Sequence, residues 1–134
     1  KNNSILPVDI ATNIYPGFPT DLQAQWMALM AKANGSSIIT ENIYTDRFTH
    51  IPELSRFGAH IDLQHNNASI KGNDTLIAAP VMSTDIRASA SLIIAALGAK
   101  GKSSISRIYH IDRGYDKIEA KLSTLGAEIM RKKE

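Results

Sequence analysis

The sequence predicts an α/β fold built from two copies of one unit: strand, buried helix, strand, amphipathic helix, strand, strand, the second copy stopping before its last strand. Three observations predict it. Pro19-Thr20-Asp21-Leu22-Gln23-Ala24-Gln25 recurs as Met82-Ser83-Thr84-Asp85-Ile86-Arg87-Ala88-Ser89-Ala90, each copy opening an apolar stretch with a Thr-Asp pair. Gly35-Ser36-Ser37-Ile38-Ile39-Thr40 aligns with Gly101-Lys102-Ser103-Ser104-Ile105-Ser106 and continues without a gap to Asp46-Arg47 against Asp112-Arg113. It resumes at Leu54-Ser55-Arg56-Phe57-Gly58-Ala59 against Leu122-Ser123-Thr124-Leu125-Gly126-Ala127. The offset is 64 residues at the aspartates, 66 at the arginines and 68 at the glycines, the length of a fold element rather than of a short array motif. Finally, each copy has one helix apolar on most sides and one apolar on a single side, alternating with strands, which implies parallel right-handed crossovers.

In chain order, the polar start Lys1-Asn2-Asn3-Ser4, without methionine, is expected to be a cut or processed terminus. A short strand is expected over 6–11, with Pro7 near its first position or on an edge because proline has no N–H for a ladder. Tyr15-Pro16-Gly17-Phe18-Pro19 sustains neither helix nor ladder and reads as a rigid turn. Over 20–33, Leu22, Trp26, Leu29, Met30 and Ala33 make one helical face while Ala24, Met27, Ala28 and Ala31 fill much of the rest. Such a helix is buried on most sides. Thr20 and Gln23 have capping-box spacing, and Asp21 in the first turn meets free N–H groups and the positive end of the helix dipole.

Asn34-Gly35 supplies a left-handed stop, a strand over 37–42 follows, and Asp46-Arg47 ends its loop. Ile51, Leu54 and Phe57 then give an amphipathic surface helix closed by Gly58, and strands over 59–63 and 68–72 flank an Asn66-Asn67 hairpin turn. The second copy has a helix over 85–97 that after Arg87 contains only Ala, Ser, Leu and Ile, a stop at Lys100-Gly101, and a strand over 103–108. Asp112-Arg113 follows, then an amphipathic helix carrying Tyr115, Ile118, Leu122 and Leu125, and a strand over 127–131. The chain reads as a single partial domain, 1–134, divided into units 1–74 and 75–134.

Composition excludes several classes. With 134 residues, 43% hydrophobic and 21% charged, the chain suffices for one core. A net charge of +2, without a basic stripe interleaved with aromatics, argues against nucleic acid, and Arg131-Lys132-Lys133 reads as a solvated tail. With no cysteine there is no disulfide framework, thiolate metal site or cysteine nucleophile. The longest apolar run, 88–99, is too short for a bilayer, and residues 1–20 lack the regions of a signal peptide. The expectation is a soluble cytoplasmic protein with neither membrane nor nucleic-acid partner. His50, His60 and His65 have no metal-ligand spacing, His110 beside Asp112 reads as structural, and no Gly-rich phosphate loop occurs, so neither metal nor cofactor is expected.

Four segments carry a resemblance: Tyr15-Pro16-Gly17-Phe18-Pro19-Thr20-Asp21-Leu22-Gln23-Ala24-Gln25, Asp46-Arg47-Phe48, Ser83-Thr84-Asp85-Ile86-Arg87-Ala88-Ser89-Ala90 and Ser106-Arg107-Ile108-Tyr109-His110-Ile111-Asp112-Arg113-Gly114-Tyr115. In order and spacing they resemble the enolpyruvyl transferase family, in its UDP-N-acetylglucosamine 1-carboxyvinyltransferase branch, from about residue 11 onward. The resemblance implies an inside-out α/β barrel, in which helices lie inside and mixed sheets outside and each of two domains holds three such units. It also implies transfer of the enolpyruvyl group of phosphoenolpyruvate to the 3-hydroxyl of UDP-N-acetylglucosamine, with phosphate released, committing the sugar nucleotide to peptidoglycan. This chain would supply about two units of one domain, in the C-terminal part. The N-terminal part, with its reactive cysteine and basic cluster, would be the partner that completes the enzyme.

The resemblance also implies roles by position. Asp21 matches the carboxylate beside the sugar hydroxyl; as base or as orienting group, it is also a plain helix-start residue. Ile43 matches a main-chain contact to the sugar nucleotide. Asp85 and Arg87 match the second Thr-Asp copy facing the interdomain cleft, or are a cap with a local ion pair. Arg113 matches the arginine brought onto phosphoenolpyruvate as the cleft closes, and Arg47, at the equivalent loop of the first unit, braces that loop or binds substrate. Two other readings stay open, the shikimate-pathway enolpyruvyl transferase and a non-catalytic ligand-binding or structural fragment of the same fold. In an incomplete domain, the faces of Trp26, Met27, Leu92 and Ile93 are expected to lose cover and to favour self-association.

Overall fold

The computed structural model describes residues 4–133. In the first unit, β1 (Ile10–Ala11) and β2 (Ser36–Thr40) run parallel, with Ile10 opposite Ile39. The crossover between them is a 3-10 turn, Thr20–Leu22, continuing into α1 (Gln23–Met30). After α2 (Ile51–Ser55) come β3 (His60–Gln64) and β4 (Asn67–Lys71), and β4 inserts antiparallel between β2 and β3. The sheet is therefore mixed, as the hairpin implied. Ser37 opposite Ile70 and Ile39 opposite Ala68 form its buried face, while the alternate residues face outward. The hairpin turn falls one residue earlier than expected, at His65-Asn66, where His65 takes a left-handed φ of 57°.

The second unit repeats the crossover with β5 (Pro80–Met82), α3 (Ile86–Gly98) and β6 (Ser104–Ser106), Val81 lying opposite Ile105 in a parallel pair. Two helices follow, α4 (Tyr109–Asp112) and α5 (Ile118–Thr124). The strand expected over 127–131 does not form. In the first unit β3 pairs with β4, whereas residues 127–131 pair with no strand among the described residues. Arg131 instead ties this segment to the helices, at 2.8 Å from Asp112 Oδ1 and 3.0 Å from Glu119 Oε1.

The two apolar helices, α1 and α3, pack on each other, and the Lys32 ammonium donates to the Gly98 carbonyl at their ends. Met27, Met30 and Leu92 meet Ile39 and Ile70 of the sheet and Leu54 and Phe57 around α2 in one buried core. A smaller cluster joins Ala90, Ile93 and Ile111. Met27, Leu92 and Ile93 are thus covered within this chain, contrary to the expectation of lost cover, because α1 and α3 turn those positions toward each other and the sheets. Of the four residues expected to lose cover, Trp26 does line an open apolar strip, with Phe18, Leu22, Leu29 and Ile94. α2 also closes the free edge of β5: the Met82 N–H donates to Glu53 Oε1 at 2.7 Å, and Arg56 Nε donates to the Pro80 carbonyl at 2.8 Å. Among the described residues no helix is long and apolar enough to cross a membrane.

His50, next to α2, is 3% exposed, with its Nε2 3.2 Å from Met27 Sδ. Burial pushes its pKa down from 6.5 to about 4, against an opposing pull from Asp85. The unfolded chain therefore takes up the proton first. The stability contributed by neutral His50 is whole above pH 6.5 and is lost as pH falls from 6.5 toward 4, by about 3 kcal/mol across that window. Urea titrations at pH 7.5 and 4.5 check this. The expected drop in midpoint for the native sequence is largely absent in His50→Gln, and an equal drop in both would disprove the assignment.

Candidate active site

Asp21 stands in the 3-10 turn that opens α1, with its side chain 68% exposed. Arg47 Nη1 and Arg87 Nε both donate to its Oδ1, each at 2.9 Å. One arginine comes from the loop after β2 and the other from the first turn of α3, so the site joins the two units. Oδ2 takes no hydrogen bond from any described residue and stays open. Arg47 is held further by Thr20 Oγ1 at 3.3 Å and by the Tyr44 ring, 4.0 Å from the guanidinium carbon to its centroid. The hydrogen bond from Arg87 is the main cause holding the Asp21 carboxyl below its ordinary range. Slight burial opposes it and Arg47 adds to it. Asp21 is therefore ionised at neutral pH, a good hydrogen-bond acceptor and a weak base, suited to orienting a hydroxyl through Oδ2.

The capping box expected of Thr20 and Gln23 is not there. Pro19 precedes the turn with no side-chain cap, and both polar side chains turn to Glu41 at the end of β2. Glu41 is fully buried. Its Oε2 accepts from Thr12 Oγ1 (2.8 Å), Thr20 Oγ1 (2.9 Å), the Ile43 N–H (3.1 Å) and the Tyr44 N–H (3.0 Å), and its Oε1 from Gln23 Nε2 (3.1 Å). Burial alone would raise this carboxyl's pKa, but the Tyr44 amide, the two hydroxyls and the Gln23 amide outweigh it and lower the pKa, so the buried group is a carboxylate.

Asp85 acts as a helix cap: its Oδ1 accepts from the Ala88 N–H at 2.9 Å, a contact that contributes about 1 kcal/mol. It does not pair with Arg87, whose guanidinium reaches across to Asp21 instead. The Ile43 amide is taken by Glu41, and its side chain is half-buried. Arg113 closes α4 as an exposed residue and is not part of the Asp21 cluster. Its loop nonetheless abuts α3, since a Cβ on Gly114 would come 2.0 Å from Ile86 Cδ1. The structure therefore brings Asp21, Arg47 and Arg87 together, leaves Asp85 at the α3 start and Arg113 at the end of α4, and adds Glu41, which sequence reading missed. Its one available signal was a lone carboxylate ending an apolar strand. The repeat hid it, because Glu41 aligns with Arg107. No group of three or more His, Asp or Glu that could hold a metal occurs among the described residues.

Known proteins share the sequence and the fold of this chain. A relative from Geobacter metallireducens named UDP-N-acetylglucosamine 1-carboxyvinyltransferase is 60% identical over 127 residues, 95% of this chain and 30% of the relative. One of the same name from Pelodictyon phaeoclathratiforme is 55% identical over 129 residues, 96% of this chain and 30% of the relative. The chain thus spans about 30% of the length of the curated relatives it matches. The enolpyruvyl transferase NikO from Streptomyces tendae superposes with a TM-score of 0.84 at 28% identity, over 96% of this chain and 30% of that one. An EPSP synthase structure from Acinetobacter baumannii, 16% identical, shares the fold with a TM-score of 0.65 over 98% of this chain and 29% of that one. The repeated crossovers, the buried helix pair and a family match over residues 1–122 lead to one assignment: the chain belongs to the EPSP synthase (3-phosphoshikimate 1-carboxyvinyltransferase) family, whose members are carboxyvinyl transferases.

Proposed function

We propose that this chain is the C-terminal part of a cytoplasmic enzyme that moves the enolpyruvyl group of phosphoenolpyruvate to the 3-hydroxyl of UDP-N-acetylglucosamine, the first committed step of peptidoglycan synthesis. The observation that carries the reading is Asp21, charged by two arginines on one oxygen and open on the other. The name borne by relatives at 55–60% identity favours the sugar-nucleotide branch over the shikimate branch. In the reaction the sugar oxygen bonds to the central carbon of phosphoenolpyruvate, the bond from that carbon to the phosphate oxygen breaks, and the hydroxyl proton leaves. Asp21 Oδ2 orients and polarises that hydroxyl, whose proton ends on the released phosphate. The Ile43 main chain lines the sugar side, and Arg87 and Arg47 fix Asp21 while lending positive charge to an anionic substrate. Arg113, on the loop against α3, closes onto phosphoenolpyruvate. Asp85 holds the α3 start beneath Arg87. We assign residues 1–74 and 75–134 as the two units that carry these parts.

As an isolated polypeptide the chain is expected to be inactive, because it spans about 30% of the length of the relatives it matches. The test is to graft the 127 matched residues of this chain in place of their counterparts in the Geobacter metallireducens relative. Phosphate release from phosphoenolpyruvate that depends on UDP-N-acetylglucosamine, at a rate within about tenfold of the relative's, supports the proposal. A folded chimera that is inactive, or that responds to shikimate 3-phosphate instead, overturns it.

A further inference from the structure

We propose that Glu41 is the positioning residue of this site, the buried carboxylate that clamps the start of α1 to the loop after β2 and so holds Asp21, Arg47 and the Ile43 main chain in one arrangement. Its donors come from three separate segments: Thr12 after β1, Thr20 and Gln23 at the α1 start, and the Ile43 and Tyr44 amides of the loop. A buried carboxylate is costly unless its lone pairs are filled, and this one is met by five donors. Two of them lead onward to the site. Thr20 Oγ1 donates to Glu41 and accepts from Arg47 Nη1, and Gln23 Nε2 also donates to the Arg47 carbonyl at 2.9 Å. Glu41 is therefore one residue removed from the Asp21–Arg47 ion pair along both paths.

The fold alone does not require a carboxylate here. The second unit builds the same parallel crossover with Arg107 at the equivalent position. What the first unit has in addition is the exposed Asp21 with an arginine loop pressed against it. The significance of Glu41 for turnover rests on the transferase reading; its control of the geometry does not.

Glu41→Gln is the informative variant. Gln23 Oε1 is buried without a partner, so a flipped Gln23 can accept from the new amide while residue 41 keeps an oxygen toward Thr12, Thr20 and the loop amides. The negative charge and the bond from Gln23 to the Arg47 carbonyl are then lost. The experiment is a carbon NMR titration of the Asp21 carboxyl in the 134-residue chain, beside a thermal melt. In Glu41→Gln the Asp21 pKa rises toward its ordinary value as Arg47 loosens, and the Ile43, Tyr44 and Arg47 amide signals move. A folded Glu41→Gln with unchanged Asp21 titration overturns the proposal and leaves Glu41 a plain stability residue. Thr20→Val, which cuts one of the two paths, provides the same reading if Glu41→Gln does not fold. A smaller rise supports the clamp, and none overturns it. In the chimera, Glu41→Gln is expected to lower kcat about tenfold with KM for UDP-N-acetylglucosamine nearly unchanged, and Glu41→Gln with Asp21→Asn to be no slower than Asp21→Asn alone. An inactive unmutated chimera with the NMR shift intact rejects the transferase reading and keeps the clamp.

Discussion

Asp21→Asn in the chimeric enzyme lowers turnover by about a thousandfold while UDP-N-acetylglucosamine affinity falls less than about tenfold. The substitution keeps the shape of the side chain and an oxygen able to accept from Arg47 and Arg87. It removes the charge that both arginines neutralise and places an NH₂ group where Oδ2 would receive the hydroxyl. A group that acts on a proton in the transition state contributes far more to rate than to binding, so the loss falls on kcat. Equal losses in kcat and affinity would reduce Asp21 to a binding or structural residue. The pH profile gives a second check with a definite sign. Because Arg87 and Arg47 hold the Asp21 carboxyl below its ordinary range, it remains charged across neutral and mildly acid pH. The limb of kcat due to Asp21 therefore lies below the ordinary carboxylate range, and an acidic limb closer to neutrality belongs to another group.

What the sequence made legible was whatever short-range patterning controls. The two crossovers were readable because apolar residues spaced for a helix, followed by a glycine stop and an apolar strand, occur twice at nearly fixed offset. Contacts between the copies were not readable. Asp21 and Arg87 lie 66 residues apart, and nothing local distinguishes an Arg87 that pairs with the neighbouring Asp85 from one that reaches the other helix. Thr20 and Gln23 show the same limit from the other side: their spacing fits a local cap, but a buried carboxylate just after β2 offers a stronger acceptor and the tertiary partner wins. The strand missing at 127–131 is a further case, since a strand is a property of two segments and the alternation in one of them does not reveal its partner. Nothing local to Met27, Leu92 and Ile93 shows that α1 and α3 cover one another, so their burial is legible only in the structure.

That packing sets the axis of α1, and Gly72 is where the axis is anchored at the end opposite Asp21. Gly72→Ala destabilises the chain by about 3 kcal/mol or more, a large share of what a domain of this size possesses. A Cβ at this position would come 1.9 Å from the Ala33 carbonyl oxygen and 2.6 Å from that of Gly35, closer than any real Cβ approaches backbone. Neither carbonyl segment is free to retreat. The Gly72 N–H donates to the Gly35 carbonyl and the Asn73 N–H to the Ala31 carbonyl, both at 2.9 Å, which joins the end of β4 to the end of α1. Gly58→Ala is the control. There the space is open and the cost is only that of a side chain at φ +91°, about 1 kcal/mol. Urea unfolding of both variants separates steric exclusion from backbone conformation. A Gly72→Ala no less stable than Gly58→Ala would mean that the α1 end is loosely held and that the Asp21 cluster relies on Glu41 alone for its place. The expected large gap between the two would show α1 held at both ends, by a hydrogen-bonded carboxylate at its start and by bare backbone contact at its finish.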